Sequence, residues 1–184
     1  MYNKNMSNKL LFVRHGECVA NVDQVYAGSE IDSPLTGQGR RDAVRTAKGL
    51  SDEGFTIDRI VSSPLLRAYD TAKIILESLD LDLPIETDDR LRERSVGQLA
   101  GKSKGGKFTT VEAVNDEPTA ERREELYNRV KSALIDLKQH GGTTLIATHN
   151  GALKAIRCAE MGLPPEKLGD MPNLENGEIF GINY

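Results

Sequence analysis

Cysteine is scarce: Cys18 and Cys158 are the 2 cysteines of the 184-residue sequence, and they form no Cys-x-x-Cys pair. Neither a zinc knuckle nor a disulfide framework is indicated, and both are expected as reduced thiols. No run approaches the roughly 20 apolar residues of a membrane-spanning helix, and residues 1–9 lack the apolar core of a signal peptide. The expectation is a soluble, cytoplasmic protein without a membrane partner. Long blocks of lysine and arginine are also missing. With 24 Lys+Arg against 28 Asp+Glu the net charge is -4, so nothing marks a nucleic-acid footprint, and a small anionic substrate needs a locally basic pocket. Internal repeats and shifts of composition are absent. A balance of 38% hydrophobic and 28% charged residues suits a single domain, residues 1–184, with one active site.

Against these absences stands a repeated alternation. Lys9 to Val13 reads as a buried strand emptying into a loop. Thr36 caps a helix with Ala43, Ala47 and Leu50 on one face, which Gly54 closes. Asp58 to Ser62 reads as a second strand. Ser63-Pro64 then supplies an N-cap and a first-turn proline for a helix whose stripe is Tyr69, Ala72, Leu76 and Leu79. Ile85 to Thr87 suits an edge strand. From Asp88 to Pro118 no period is sustained, so a functional loop or lid is expected, at about 94–118. Helical spacing returns from Glu121 to Gln139, a third core strand runs from Thr143 to Ala147, a helix carries Leu153 and Ile156, and Glu178 to Asn183 alternates as a last strand. The pattern predicts a three-layer α/β/α sandwich with a mostly parallel central sheet, and such sheets bind ligands beyond the carboxyl ends of their strands.

Three strand ends deliver polar residues to that edge: Arg14, His15 and Glu17; Ser62, Ser63 and Arg67; Thr148, His149 and Asn150. Two of the 3 histidines directly follow core strands. Phosphoryl transfer asks for a nucleophile, fixed cations and an acid for the leaving oxygen. His15 can attack, Arg14 and Arg67 can clamp oxygens, and His149 can donate to another. His140, before Gly141-Gly142, reads as a helix C-terminal cation. Gly101 to Lys107 superficially suggests a phosphate-binding loop, but Phe108 stands where Ser or Thr is required and no strand precedes it. Lys102, Lys104 and Lys107 fit either a lid that attracts acidic substrates or a merely soluble loop.

With these residues in place, the sequence resembles the histidine phosphatase superfamily, which includes cofactor-dependent phosphoglycerate mutases and many small phosphatases. Arg14-His15-Gly16-Glu17 resembles its signature, with Asn21 at a position used to touch phosphate. Ser62-Ser-Pro-Leu-Leu-Arg67-Ala-Tyr-Asp-Thr71 is similar to its second motif, Leu91-Arg-Glu93-Arg-Ser-Val-Gly97 to its third, and Thr148-His149-Asn150-Gly151 to its fourth. The resemblance runs in family order from about Leu10 to Arg157 and implies a phosphoglycerate mutase-like fold. It implies His15 as nucleophile, Arg14, Arg67 and His149 as phosphate ligands, Glu93 as general acid and base, and Asn21 and Asn150 beside the substrate. Neither a cofactor nor a metal is required by that scheme. Ala100-Gly101 and Ala120-Glu121-Arg122 depart from the family's usual Glu-Gly and Gly-Glu-Ser. The segment from Glu93 to His149 is shorter than in the mutases, and Arg122-Arg123 falls inside a predicted helix. A phosphatase acting on a small phosphorylated substrate is the expectation; a mutase and a non-catalytic phosphate-binding relative are the alternatives. Nothing in the sequence sets the oligomeric state, a homodimer included.

Overall fold

The computed structural model describes residues 8–105 and 114–184. Strands β1 (Lys9–Arg14), β2 (Arg59–Ser62), β3 (Ile85–Thr87), β4 (Thr143–Thr148) and β5 (Ile179–Asn183) form one sheet in the order β3-β2-β4-β1-β5. The first four run parallel and β5 is antiparallel to β1. Helices α1 (Val19–Val22), α2 (Gly37–Asp52), α3 (Leu66–Ser78), α4 (Arg123–Leu137) and α5 (Asn150–Glu160) connect them. Among the described residues no helix is long and apolar enough to cross a membrane.

The continuous apolar runs of β1 and β4 follow from burial on both faces, and alternation sorts their side chains into two cores. Leu10, Phe12 and Ile146 pack with α4 and α5 through Leu126, Val130, Leu153 and Ile156. Leu11, Val13, Leu145 and Ala147 pack on the other face with Ala43, Ala47, Ala72 and Ile75 of α2 and α3. The crossover after β1 therefore leaves toward one face and that after β4 toward the opposite one, although the two strands are neighbours. A crevice opens where adjacent strand ends diverge in this way.

Thr36 caps α2 as expected, its side chain accepting from the Gly39 amide. The third helix starts later than its Ser-Pro signal: Leu65 is the N-cap, and Ser63 instead accepts from the Leu65 amide and meets His149. Its buried face keeps Ala72 and Leu76 of the expected stripe and adds Ala68, Thr71 and Ile75, while Tyr69 and Leu79 are half-buried. The segment after β3 is more ordered than its lack of period suggests, with short 3-10 turns at Asp89–Leu91 and Gly97–Leu99. The expected lid lies partly outside the described residues, as do Gly106, Lys107 and Phe108. The part at 101–104 is tied to residues 24–26 by backbone bonds from Tyr26 N to Lys102 O, Gly101 N to Tyr26 O and Lys104 N to Gln24 O. The two cysteines are buried free thiols.

Candidate active site

The register Arg14 with Thr148 and the bond from His15 N to Thr148 O (3.0 Å) place the residues after β1 and β4 side by side, so the His15 and His149 rings lie 5.1 Å apart between centroids. Gly16 lets the chain turn there: a Cβ at this position would stand 2.2 Å from the Gly39 carbonyl oxygen at the start of α2. Its amide is anchored on the Thr71 hydroxyl at 3.0 Å.

His15 Nδ1 lies 2.8 Å from the Gly16 carbonyl oxygen. A carbonyl only accepts, so Nδ1 carries the proton and Nε2 holds the lone pair. Burial, then the Arg67 and Arg14 charges, hold the His15 pKa well below the ordinary imidazole value. The ring is thus neutral at neutral pH, with its lone pair on Nε2. His149 is held down by burial, Arg67 and His15 in turn. Its Nε2 is 2.7 Å from the Ser63 hydroxyl, and its Nδ1 is buried with no protein partner among the described residues. If Ser63 gives its proton to Nε2, Nδ1 becomes a donor.

Arg67, only 2% exposed, donates through NH1 to Ile31 O at 3.0 Å and through NH2 to Gly28 O at 2.8 Å. These two bonds order the loop before α2 and leave three of its five N–H donors for a ligand. Arg14 donates to Leu174 O at 2.5 Å, while its Nε is buried without a partner among the described residues. Neither arginine forms the surface ion pair that Glu17 or Asp70 could have offered. Orphaned buried polar atoms are rare. Of the four among the described residues, Arg14 Nε and His149 Nδ1 belong to residues expected to surround a phosphoryl group, while Arg59 NH1 and Thr144 Oγ1 do not.

Glu93 rests on backbone amides, Oε1 accepting from Arg94 N at 2.9 Å and Oε2 from Gly151 N at 3.2 Å, in the first turn of α5. Arg129 of α4 holds the approach to it, donating to the carbonyls of Arg90 (2.6 Å), Arg92 (2.9 Å) and Glu93 (3.2 Å) and to the Glu121 carboxylate. Asn21 lines the cavity; its Oδ1 accepts from Cys18 N at 3.1 Å, which leaves the amide nitrogen as the group it offers. Asn150 also lines the cavity, but its amide is engaged at both ends, donating to Asn173 Oδ1 and accepting from Leu174 N. It braces that loop.

These residues border a cavity of about 320 Å³. Of the residues named from the sequence, His15, Arg14, Arg67, Glu93, Asn21 and Asn150 line it, and His149 lies against the His15 ring. It missed Arg94, Arg123 and Lys154 on the wall, and Asn176, whose Nδ2 donates to His15 O at 2.8 Å. Spacing carries no signal for these; only the closeness of Arg94 to Glu93 hinted at one. Lys104, left between lid and solvated loop, lines the cavity. Of the two arginines expected inside the helix, Arg123 is the first residue of α4 and Arg122 stands just before it as the N-cap. Among the described residues no group of three or more His, Cys, Asp or Glu side chains could hold a metal ion.

Comparison with known proteins gives this geometry a family. The chain is 34% identical over 189 residues to a Hydrogenobacter thermophilus protein named "Putative phosphoserine phosphatase 2", covering 95% of this chain and 89% of that one. It is 28% identical over 215 residues to the 2,3-bisphosphoglycerate-dependent phosphoglycerate mutase of Gloeothece citriformis, covering 91% and 89%. The solved structure of Bacillus stearothermophilus YhfR superposes with a TM-score of 0.82 at 30% identity over 95% of this chain and 90% of that one. Residues 10–184 match the model of the histidine phosphatase superfamily (branch 1), and the chain belongs to that family.

Proposed function

We propose that the protein is a phosphomonoesterase that works through a phosphohistidine on His15. The single observation that carries this reading is the fixed tautomer: Nδ1 is committed to the Gly16 carbonyl, so a neutral Nε2 is free to attack between two arginines. In the first step the Nε2 lone pair forms the N–P bond in line as the ester P–O bond breaks. Arg14, Arg67 and His149 hold the phosphoryl oxygens, and Glu93, protonated, gives its proton to the leaving alkoxide. In the second step a water attacks phosphorus, Glu93 takes its proton, the N–P bond breaks with its electron pair returning to Nε2, and orthophosphate departs. The cations supply the charge stabilisation that a metal ion gives elsewhere.

A mutase shares the first step but captures the phosphoryl group with a substrate hydroxyl, and relatives carrying mutase names keep this second reading open. The short segment between Glu93 and His149 supports water as the acceptor.

The test is hydrolysis of p-nitrophenyl phosphate in the presence of a chelator, with acid quenching to trap an acid-labile phosphoprotein. Turnover should persist with the chelator, and His15→Ala should lose it by about a thousandfold or more together with the adduct. Full activity of His15→Ala, or activity abolished by the chelator, overturns the scheme; isomerisation of phosphoglycerate that outpaces hydrolysis replaces it by the mutase.

A further inference from the structure

Glu30 does not line the cavity, yet its carboxylate collects donors from the turn that begins two residues after Glu93. Its Oε1 accepts from the Ser95 hydroxyl and from Gly97 N at 3.1 Å, and its Oε2 accepts from Val96 N at 3.2 Å. An exposed glutamate ordinarily stays mobile, because fixing it costs rotamer entropy. This one is exposed and still spends both oxygens on a neighbouring loop. The other end of the side chain belongs to the loop that Arg67 holds. Arg67 donates to the carbonyls of Gly28 and Ile31, on either side of Glu30, and the Asp32 carboxylate accepts from Leu66 N at 2.7 Å.

The turn at 95–98 is fastened from its far side as well. Ser95 O accepts from Glu121 N at 3.1 Å, Glu121 Oε2 accepts from Ser95 N at 3.3 Å, and Thr119 Oγ1 accepts from Gln98 N at 3.0 Å. Toward Arg67 the link is Glu30: among the described residues no backbone hydrogen bond joins residues 27–33 to residues 93–98. The two walls approach closely there. Gly28 has φ +56°, and a Cβ on it would stand 2.3 Å from Glu30 Oε2 and 2.6 Å from Val96 Cγ2. A carboxylate suits the place because it only accepts. A glutamine does not, since whichever way its amide is turned, its NH2 group faces the N–H of Val96 or that of Gly97. The seat of the acid relative to the phosphate-binding arginine therefore runs through one side chain, and a displacement of about 1 Å at a reacting group can cost about a hundredfold in rate.

We propose that Glu30 is a positioning residue: it ties the loop held by Arg67 to the turn after Glu93, and so sets the acid at the leaving oxygen of a phosphoryl group seated on Arg67. This rests on the phosphomonoesterase reading. Glu30→Gln should lower kcat on propyl phosphate by about tenfold to a hundredfold with KM nearly unchanged, and slow p-nitrophenyl phosphate far less, because that leaving group scarcely needs an acid. In the Glu93→Gln background the same substitution should cost little more, since no acid is left to place. Glu30→Asp, which keeps the carboxylate on a shorter stem, should recover part of the loss. Unchanged kinetics on propyl phosphate, equal losses on both esters, or a loss that multiplies onto that of Glu93→Gln overturns the positioning role and leaves the phosphatase reading standing. A measurement free of turnover follows the tie itself. In His15→Ala, orthophosphate should slow hydrogen exchange at the Val96 and Gly97 amides, and adding Glu30→Gln should abolish that protection. Exchange indifferent to orthophosphate, or protection that survives Glu30→Gln, overturns the tie. Protection that needs Glu30, with no wild-type turnover of either ester, supports the tie and overturns the phosphatase reading instead.

Discussion

Glu93 sits so close to the start of α5 that a Cβ at residue 151 would stand 2.3 Å from Glu93 Oε1, and the carboxylate would have to move aside. The helix start itself tolerates alanine, so Gly151→Ala should displace the carboxylate while sparing the fold. General acid catalysis matters most when the leaving oxygen is a poor one. Glu93→Gln should therefore slow hydrolysis of an alkyl phosphate by about 10²–10⁴-fold and that of p-nitrophenyl phosphate far less. Gly151→Ala should reproduce that leaving-group signature at smaller magnitude with little change in Tm. Equal losses on both esters would argue that Glu93 is not the acid. Glu93 was legible as a candidate from its motif spacing, whereas its support by the Gly151 amide was not, because the two positions meet only in the folded chain. Ser63 shows the same limit: next to Pro64 it reads locally as a helix cap, and the His149 ring 2.7 Å from its hydroxyl shows otherwise.

Elements carry these residues to one place through register and ties. β1 and β4 pair from Lys9 with Thr143 to Arg14 with Thr148, so a shift by one residue would turn His15 away from His149 and exchange the two cores. Helix α4 secures the opposite wall through Arg129, whose guanidinium serves three loop carbonyls and the Glu121 carboxylate with side-chain exposures of 23% and 14% for the pair. A lysine cannot reproduce that fork. Arg129→Lys should lower unfolding stability in urea by about 1–3 kcal/mol and reduce kcat on alkyl esters, because Glu93 loses its backbone anchor. An unchanged urea midpoint would show the fork to be dispensable. The strands and most helices were legible because burial on one or both faces imposes a period on the sequence. The start of α3 and the two ends of its stripe, Tyr69 and Leu79, were not, because tertiary packing with α2 and the sheet outweighed the local Ser-Pro signal.

For the whole molecule, two buried neutral histidines make folding depend on pH. Both have folded pKa values well below the ordinary value of 6.5, so the unfolded chain binds more protons once the pH falls below that value. Their stabilising contribution is complete above about pH 6.5 and is lost as the pH drops toward the folded values, by about 1.4 kcal/mol per pH unit for each imidazole. Urea midpoints taken from pH 7.5 to 5 should fall accordingly, and His149→Asn should flatten the slope; a slope unchanged in that variant would assign the effect to other groups. What the sequence determined alone was the alternation of strands and helices and the identity of the polar residues at the strand ends, since both follow from burial patterns and local chemistry along the chain. Tertiary structure decided which of those residues meet. The neutral state of His15, buried beside the Arg67 charge, and the seat of Glu93 on the Gly151 amide each join positions far apart in sequence, and only the packing of two cores about one sheet brings such groups together.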